Sequence, residues 1–316
     1  MTLQRFYSLV LASLISVYLV ILAGSIVRAT GSGMGCPDWP KCFGQYIPPT
    51  DISQLPENYE EKYAVKGHSA EFNAAKTWTE YGNRLVGAIA GIIVAIQFAY
   101  SLSLWKYNKS YTLLSLSLVL LMGFQAVLGA GVVWTFLKSY MITLHMLAAL
   151  VIVILLIYLL AHVKNALQPV QSYKGSTFTF IFYGLLVLTL IQIFLGTEVR
   201  EEIDALSYQM NYMHRETWIE LTGTIFKIHR SFSILVVIVA VYLWFKQTNN
   251  FSLSQLYWYR IHLILLTIVV LAGVLMAYFA IPAWAQPVHF FTSTILLGVQ
   301  WFFVFRFMVG QKNSSL

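Results

Sequence analysis

Eight stretches of roughly twenty apolar residues, near 7–28, 80–104, 111–136, 140–163, 177–199, 223–245, 257–280 and 287–308, fill most of this 316-residue chain. Twenty helical residues rise about 30 Å, the hydrocarbon thickness of a bilayer. Only 10% of the residues are charged, against about 25% in a soluble domain. The expected fold is an all-α integral membrane protein of eight transmembrane helices with almost no soluble domain.

Lysine and arginine set the expected orientation. With the N-terminus in the cytoplasm, Arg5, Lys106, Lys109, Lys164, Lys174, Lys246, Arg260, Arg306 and Lys312 fall at cytoplasmic ends. All 13 acidic residues then fall in the opposite loops or at the outer helix ends. Both termini are cytoplasmic in this reading, and the net charge of +7 reflects topology. A nucleic-acid partner would need a basic patch on a folded domain, which this pattern does not provide. The first apolar stretch is too long for a signal h-region, so no cleavable leader is expected. That favours a multi-pass protein of a bacterial inner membrane over an imported mitochondrial one.

The first four helices, 1–165, and the last four, 166–316, read as two four-helix bundles. They are joined by a polar linker, 164–176, that contains Pro169 and Gly175. Four helices return the chain to its starting side, so the halves form a parallel, pseudo-symmetric repeat about an axis along the membrane normal. Gly24-Ser25-Ile26-Val27-Arg28 reappears as Gly196-Thr197-Glu198-Val199-Arg200, each closing an apolar stretch. Two outer loops are long. Loop 29–77 holds Trp39 and both cysteines, and loop 200–222 holds Glu201, Glu202, Asp204, Tyr208, Tyr212, His214, Arg215 and Trp218. Function is therefore expected near the outer face. Cys36 and Cys42 are in an oxidising compartment in this topology, where a structural or redox disulfide competes with free thiols. Without a second pair they make a poor zinc site.

Four polar residues recur inside the membrane. Asn83 precedes His145 by 62 residues, and His229 precedes His289 by 60. Each is expected in the first two turns of a helix that runs inward, about 5–10 Å below the outer surface. Such residues are costly in a membrane helix and usually face the bundle interior. Two imidazoles facing each other across a bundle can hold a haem iron from both sides. Basic residues near the outer ends then reach its propionates: Arg200, Arg230 and Lys227 in the second half, Arg28 and Arg84 in the first. The plainer alternative is a histidine hydrogen-bonded to a neighbouring helix. His162 and His262 at cytoplasmic ends, and His68 and His214 in outer loops, read as structural or solvated.

The halves differ. Asn83 stands where the repeat calls for histidine, which leaves any iron held by His145 open or weakly coordinated, as a reacting site requires. Glu80 lies three residues before Asn83 on the same helix face, whereas the second half has Phe226 there. A carboxylate in apolar surroundings is a candidate for proton transfer. It can also simply pair with Arg84 four residues on, and the two roles can coexist.

These residues resemble a known family. Gly24-Ser25-Ile26-Val27-Arg28-Ala29-Thr30-Gly31-Ser32-Gly33, followed by Cys36-Pro37-Asp38-Trp39-Pro40-Lys41-Cys42, is similar to haem A synthases. So are Glu80-Tyr81 with Arg84, and Gly196-Thr197-Glu198-Val199-Arg200-Glu201. The resemblance spans nearly the whole chain and implies two four-helix bundles. It implies a haem b ligated by His229 and His289, and haem O in the first bundle with His145 on its iron and Glu80 important for catalysis. The reaction it implies oxidises the ring-position-8 methyl of haem O to a formyl group, giving haem A for terminal oxidases. Electrons would pass between the two haems to an unidentified acceptor. A haem O synthase, terminal oxidase assembly factors and membrane lipid are the implied partners, with a homo-oligomer possible. Many members have histidine at Asn83, and some carry a second cysteine pair that loop 200–222 lacks.

Two rival classes remain. A non-enzymatic di-haem cytochrome b would place haems at two depths, whereas these histidines cluster near one face. A repeat-built transporter would show broken helices at the midplane, and no such pair stands out.

Overall fold

The computed structural model describes residues 2–170, 176–210, 213–247 and 251–308. Lys174 and Gly175 of the linker, Tyr212 and Lys312 lie outside the described residues. The helices are α1 (Leu3–Ala29), α2 (Tyr59–Lys62), α3 (Ala74–Leu102), α4 (Lys109–Trp134), α5 (Ser139–Leu167), α6 (Ser176–Gln209), α7 (Trp218–Leu221), α8 (Thr224–Gln247), α9 (Leu253–Tyr278) and α10 (Ala285–Phe303). Eight of them are long and apolar enough to cross a membrane, all except the one-turn α2 and α7. Among the described residues the only β pairing is two isolated bridges, Cys42 with Gln45 and Val65 with His68. The chain is an all-α, multi-pass membrane protein.

The apolar windows of the spanning helices are only 17–50% buried within the protein. The remainder, including Ile89, Ile92, Ile96, Leu120, Ile234 and Ile238, faces outward. An apolar exterior of this extent is unstable in water and suits a hydrocarbon solvent.

Helix ends follow capping rather than hydropathy. α3 starts at Ala74 because the Asn73 side chain accepts the Lys76 N–H at 3.0 Å, so Asn83 sits in the third turn rather than the first two. At the other long connection, the expected loop 200–222 is corrected. α6 continues to Gln209 and places Glu201, Glu202, Asp204 and Tyr208 on a helix. The extension carries an Arg200–Asp204 pair at 2.8 Å, four residues apart, and such pairs support a helix end outside the apolar segment. His214, Arg215 and Trp218 follow in the shorter connection.

The chain divides into two compact units, Met1–Leu160 and Ala161–Leu316. In the first, α3 packs against α1 and α4, and α5 meets α4 where Gln125 donates to the His145 carbonyl at 2.8 Å. In the second, α6 packs on α8, α8 on α9, α9 on α10 and α10 on α6, which closes a four-helix bundle. Its core is aromatic, built on Phe178, Phe182, Tyr259, Phe303 and Phe307. The Tyr259 hydroxyl donates to the Ala240 carbonyl at 2.8 Å, so the ring is buried without an unpaired polar tip.

A polar bridge crosses the second bundle. The fully buried Gln300 amide donates to Thr189 Oγ1 at 2.9 Å and lies 3.1 Å from His262 Nε2. His262 is thus a core histidine, buried rather than solvated. Replacing Gln300 with Leu keeps the volume but strips the bridge from a buried imidazole, which costs about 1–3 kcal/mol. The expected outcome is a lower thermal midpoint in detergent, with a smaller loss in the Gln300→Leu, His262→Leu double variant than the sum of the two single losses.

Candidate functional site

In the second unit the repeat positions meet. His229 on α8 and His289 on α10 bring their rings to 6.4 Å between centroids, inclined at 68°. His289 Nδ1 donates to the Val269 carbonyl at 2.8 Å. That bond fixes the tautomer and leaves Nε2 with its lone pair available to a metal. The Gln192 amide nitrogen lies against the His229 ring, 3.2 Å from Nδ1, and donates to the His229 carbonyl at 3.1 Å.

Each ring also rests on a glycine of a neighbouring helix. A methyl group on Gly196 would come within 3.1 Å of His229 Cε1, and one on Gly273 within 3.2 Å of His289 Cε1. Both distances are tighter than ordinary van der Waals contact, so a larger residue would displace the imidazole. In the first unit a methyl on Gly129 would stand 3.4 Å from His145 Cε1, and one on Gly24 3.8 Å from Asn83 Oδ1. All four repeat positions therefore face a glycine. The contact is tight at Gly196, whereas a methyl on Gly24 would sit at ordinary van der Waals distance.

Gly129, Gly273, Gln125 and Gln192 were not singled out from sequence. A signal exists: a glycine stands sixteen residues before the histidine in both Gly129–His145 and Gly273–His289. Gln125 and Gln192 likewise stand four residues before Gly129 and Gly196.

The donor set suits a haem. Two imidazoles face each other in a bundle, one of them with its tautomer fixed by an outer partner. Among the described residues no group of three or more His, Cys, Asp and Glu side chains is placed to hold an ion, so iron would depend on imidazoles acting in pairs. In the first unit His145 Nδ1, Asn83 Oδ1 and Gln125 Oε1 are all buried with no hydrogen-bond partner among the described residues. Buried polar atoms are nearly always paired, so these three are available to a bound group or to water.

Glu80 and Arg84 are placed differently. The Glu80 carboxylate is buried, and its Oε2 accepts the Cys36 N–H at 2.7 Å. Arg84 pairs with its other oxygen and donates to the carbonyls of Asp38 at 2.8 Å, Lys41 at 2.9 Å and Cys36 at 3.0 Å. Cys36 and Cys42 form a disulfide, S–S 2.01 Å. Asp38 accepts the N–H groups of Phe43 and Gly44, and Thr77 donates to the Gly35 carbonyl at 2.8 Å. The ion pair weighed from the sequence is thus present, and it fastens the disulfide loop to the first turns of α3. In the second unit Arg230 instead lies 5.8 Å over the Phe226 ring, and Arg200 bonds Asp204 and Gln286.

Removing Glu80 strips one buried backbone N–H of its acceptor and leaves Arg84 uncompensated, a loss of roughly 3 kcal/mol. Glu80→Ala is expected to speed maleimide trapping of Cys36 and Cys42 under mild reductant several-fold. Glu80→Gln, which keeps an acceptor for Cys36, is expected to speed it less. Equal trapping in the native chain and both variants would separate the loop from this carboxylate.

Residues 7–301 match the family model of COX15-CtaA, cytochrome oxidase assembly protein. A Heme A synthase of Bacillus cereus (strain AH187) is 26% identical over 290 residues, covering 87% of this chain and 85% of that protein. A Heme A synthase of Bacillus anthracis (strain CDC 684 / NRRL 3495) is 26% identical over the same length. One from Bartonella bacilliformis is 27% identical over 202 residues, which spans 58% of this chain and 54% of that relative.

Proposed function

The chain belongs to the cytochrome oxidase assembly protein family, and from that premise we propose that it is a membrane-bound haem A synthase. The substrate is haem O and the product haem A, its ring methyl oxidised to a formyl group. A haem O synthase acts before it and terminal oxidase assembly after it. The observation that carries this reading is the contrast between the repeats. One holds two facing imidazoles, each resting on a glycine, and the other has one imidazole with an amide at the matching position. Two strong ligands suit electron transfer, and a half-filled set suits a substrate that must react.

His229 and His289 would hold a haem b, which would supply one-electron exchange. The chain's own residues provide the geometry. The Val269 carbonyl orients the His289 ring, and Gln192 steadies the backbone of α8 at His229. Gly196 and Gly273 let both rings lie close to helix backbone. Arg200 and Arg230 are the proposed propionate partners.

In the first bundle His145 is the proposed ligand of the substrate iron, with Gln125 holding its peptide carbonyl. Asn83 presents an amide where a second imidazole would close the site. Glu80 is the proposed catalytic carboxylate, one helical turn before Asn83, and it positions or deprotonates a water or hydroxylated intermediate near the methyl group. Its tie to Arg84 and Cys36 couples this carboxylate to the disulfide loop. Arg28 remains a proposed propionate partner. Arg84 reaches propionates only by giving up loop carbonyls. The active region lies near the outer face of a bacterial inner membrane.

Co-expression with a haem O synthase, followed by acid extraction and chromatography, tests the reading. Haem A is expected from the native chain and is expected to be lost in His145→Ala, while haem b content stays unchanged. His229→Ala and His289→Ala are each expected to lose the bis-imidazole absorption of the purified protein. Haem O and haem b alone from the native chain would sink the synthase reading in favour of a di-haem cytochrome.

Gly273→Val should act through position alone. It is expected to lower haem b occupancy several-fold while the helical circular dichroism of the protein is retained. Full occupancy with an unshifted Soret band would show that the glycine is not needed under His289.

A further inference from the structure

The turns before the last spanning helix of each unit, α5 and α10, share one backbone. Phe136 and Leu137 are both left-handed, at φ 54° and 57°, and so are Ala280 and Ile281, at 52° and 49°. Leu137 N–H donates to the Val132 carbonyl at 2.9 Å, and Ile281 N–H to the Met276 carbonyl at 3.2 Å. Both pairs stand eight residues before their histidine. Consecutive left-handed, branched or bulky residues are costly, and a fold keeps them only where their surroundings enforce them.

The same turn is lined differently in the two units. In the second, Ile281 is buried in a cluster with Trp218 and Ile203, and Pro282 follows. In the first, Leu137 packs over Gly33 of the Thr30-Gly31-Ser32-Gly33 run, where a methyl group would meet Leu137 at 3.1 Å. Lys138 stands at the place of Pro282. Beside it the tip of the long loop turns back at Lys66, itself left-handed at φ 53°, and stacks the His68 ring on Phe136 at 3.9 Å and 6°. Between them opens a cleft of about 550 Å³ bordered by Lys66, His68, Phe136, Leu137, Lys138 and Tyr140. Its volume falls within the range of small-molecule sites. Both lysines are exposed, and neither has an ion-pair partner among the described residues.

We propose that this cleft binds the paired carboxylates of the haem substrate at the mouth of the first bundle, an assignment that rests on the synthase reading. Lys138 lies seven residues before His145 on the same helical run, about 10 Å of rise. That distance is comparable to the reach of a porphyrin from its metal to its carboxylates. Two ammonium groups join Arg28 as cationic partners of the two carboxylates, and the stacked His68–Phe136 face gives the apolar edge of the macrocycle a flat wall. Arg84 is committed to the disulfide loop, so the lysines supply the cationic contacts that it does not. The second unit, which holds its haem through two imidazoles, has proline at the corresponding place.

The test uses the full chain in detergent with its second-bundle site already filled. Protohaem and its dimethyl ester, which lacks free carboxylates, are titrated by visible absorption into the native protein, K66Q/K138Q and K66R/K138R. The expected result is a roughly tenfold weaker Kd for protohaem in the glutamine variant, near-native binding in the arginine variant, and no change for the ester. Unchanged protohaem affinity overturns the proposal, as does an equal loss for the ester, which would report a distorted turn. An anionic lipid headgroup offers similar charge. If the lysine dependence appears only as lost binding of phosphatidylglycerol, measured in nanodiscs, the cleft is a lipid site and the proposal fails. Haem A output from the native chain is scored separately. Its absence removes the synthase reading, whereas a failed titration beside normal haem A output removes only the cleft assignment.

Discussion

Everything at the proposed centre depends on how close two helices can come. An imidazole that must face a bundle interior needs room beside the backbone of its neighbour, and glycine leaves the most. Gly129, Gly196 and Gly273 each stand within 3.1–3.4 Å, by a hypothetical methyl, of the histidine they serve. Close approach also brings the polar groups of the neighbouring helix within reach. The Val269 carbonyl then meets His289, and the Gln125 and Gln192 amides meet the peptide carbonyls of His145 and His229. Small residues at helix interfaces are the general means of tight packing in a solvent that gives no hydrophobic drive between helices.

A second constraint operates only in the first unit. Its long loop has little core of its own beyond the cluster of Cys36, Cys42, Phe43 and Ala70. The loop is held instead by a buried charge pair that spends its hydrogen bonds on backbone. Glu80 takes one N–H, Arg84 takes three carbonyls, and Asp38 inside the loop takes two more N–H groups. A buried pair of this kind need not add net stability, because desolvation offsets the attraction, but losing either partner alone is expensive. In the second unit Phe226 and Arg230 occupy these places, and the Arg230 guanidinium lies over the Phe226 ring. The two units differ at these matched positions, and only the first ties a loop to Glu80 and Arg84.

Hydropathy made the eight spans legible, because a bilayer imposes a minimum apolar length that few other environments demand. It could not place their ends. α3 begins where Asn73 caps it and α6 ends beyond its Arg200–Asp204 pair, both outside the apolar windows. The histidines were legible because charge-bearing groups are rare in such spans and recurred at matched spacing. Their glycine partners were hidden, since glycine is common in membrane helices and acquires meaning only once a second helix is placed against it. The Glu80–Arg84 pair was legible as an i, i+4 spacing. That Arg84 serves Asp38, Lys41 and Cys36 was not, because those contacts span 43–48 residues.

The turn before each fourth helix shows how a repeat becomes specialised without changing its backbone. Left-handed pairs at Phe136–Leu137 and Ala280–Ile281 hold α5 and α10 in the same register against α4 and α9, so each helix delivers its histidine to a glycine sixteen residues upstream. With that geometry preserved, the residues just past the pair are free to differ. Pro282 has no N–H to offer and closes its turn over an apolar cluster with Trp218. Lys138 keeps a charge at the same place, beside Lys66 and the stacked His68. A resident group needs no path once it is bound, whereas a substrate must arrive and leave. The copy that retains one imidazole is also the copy whose turn opens onto a charged cleft, and under the proposed reading both differences suit a ligand that exchanges.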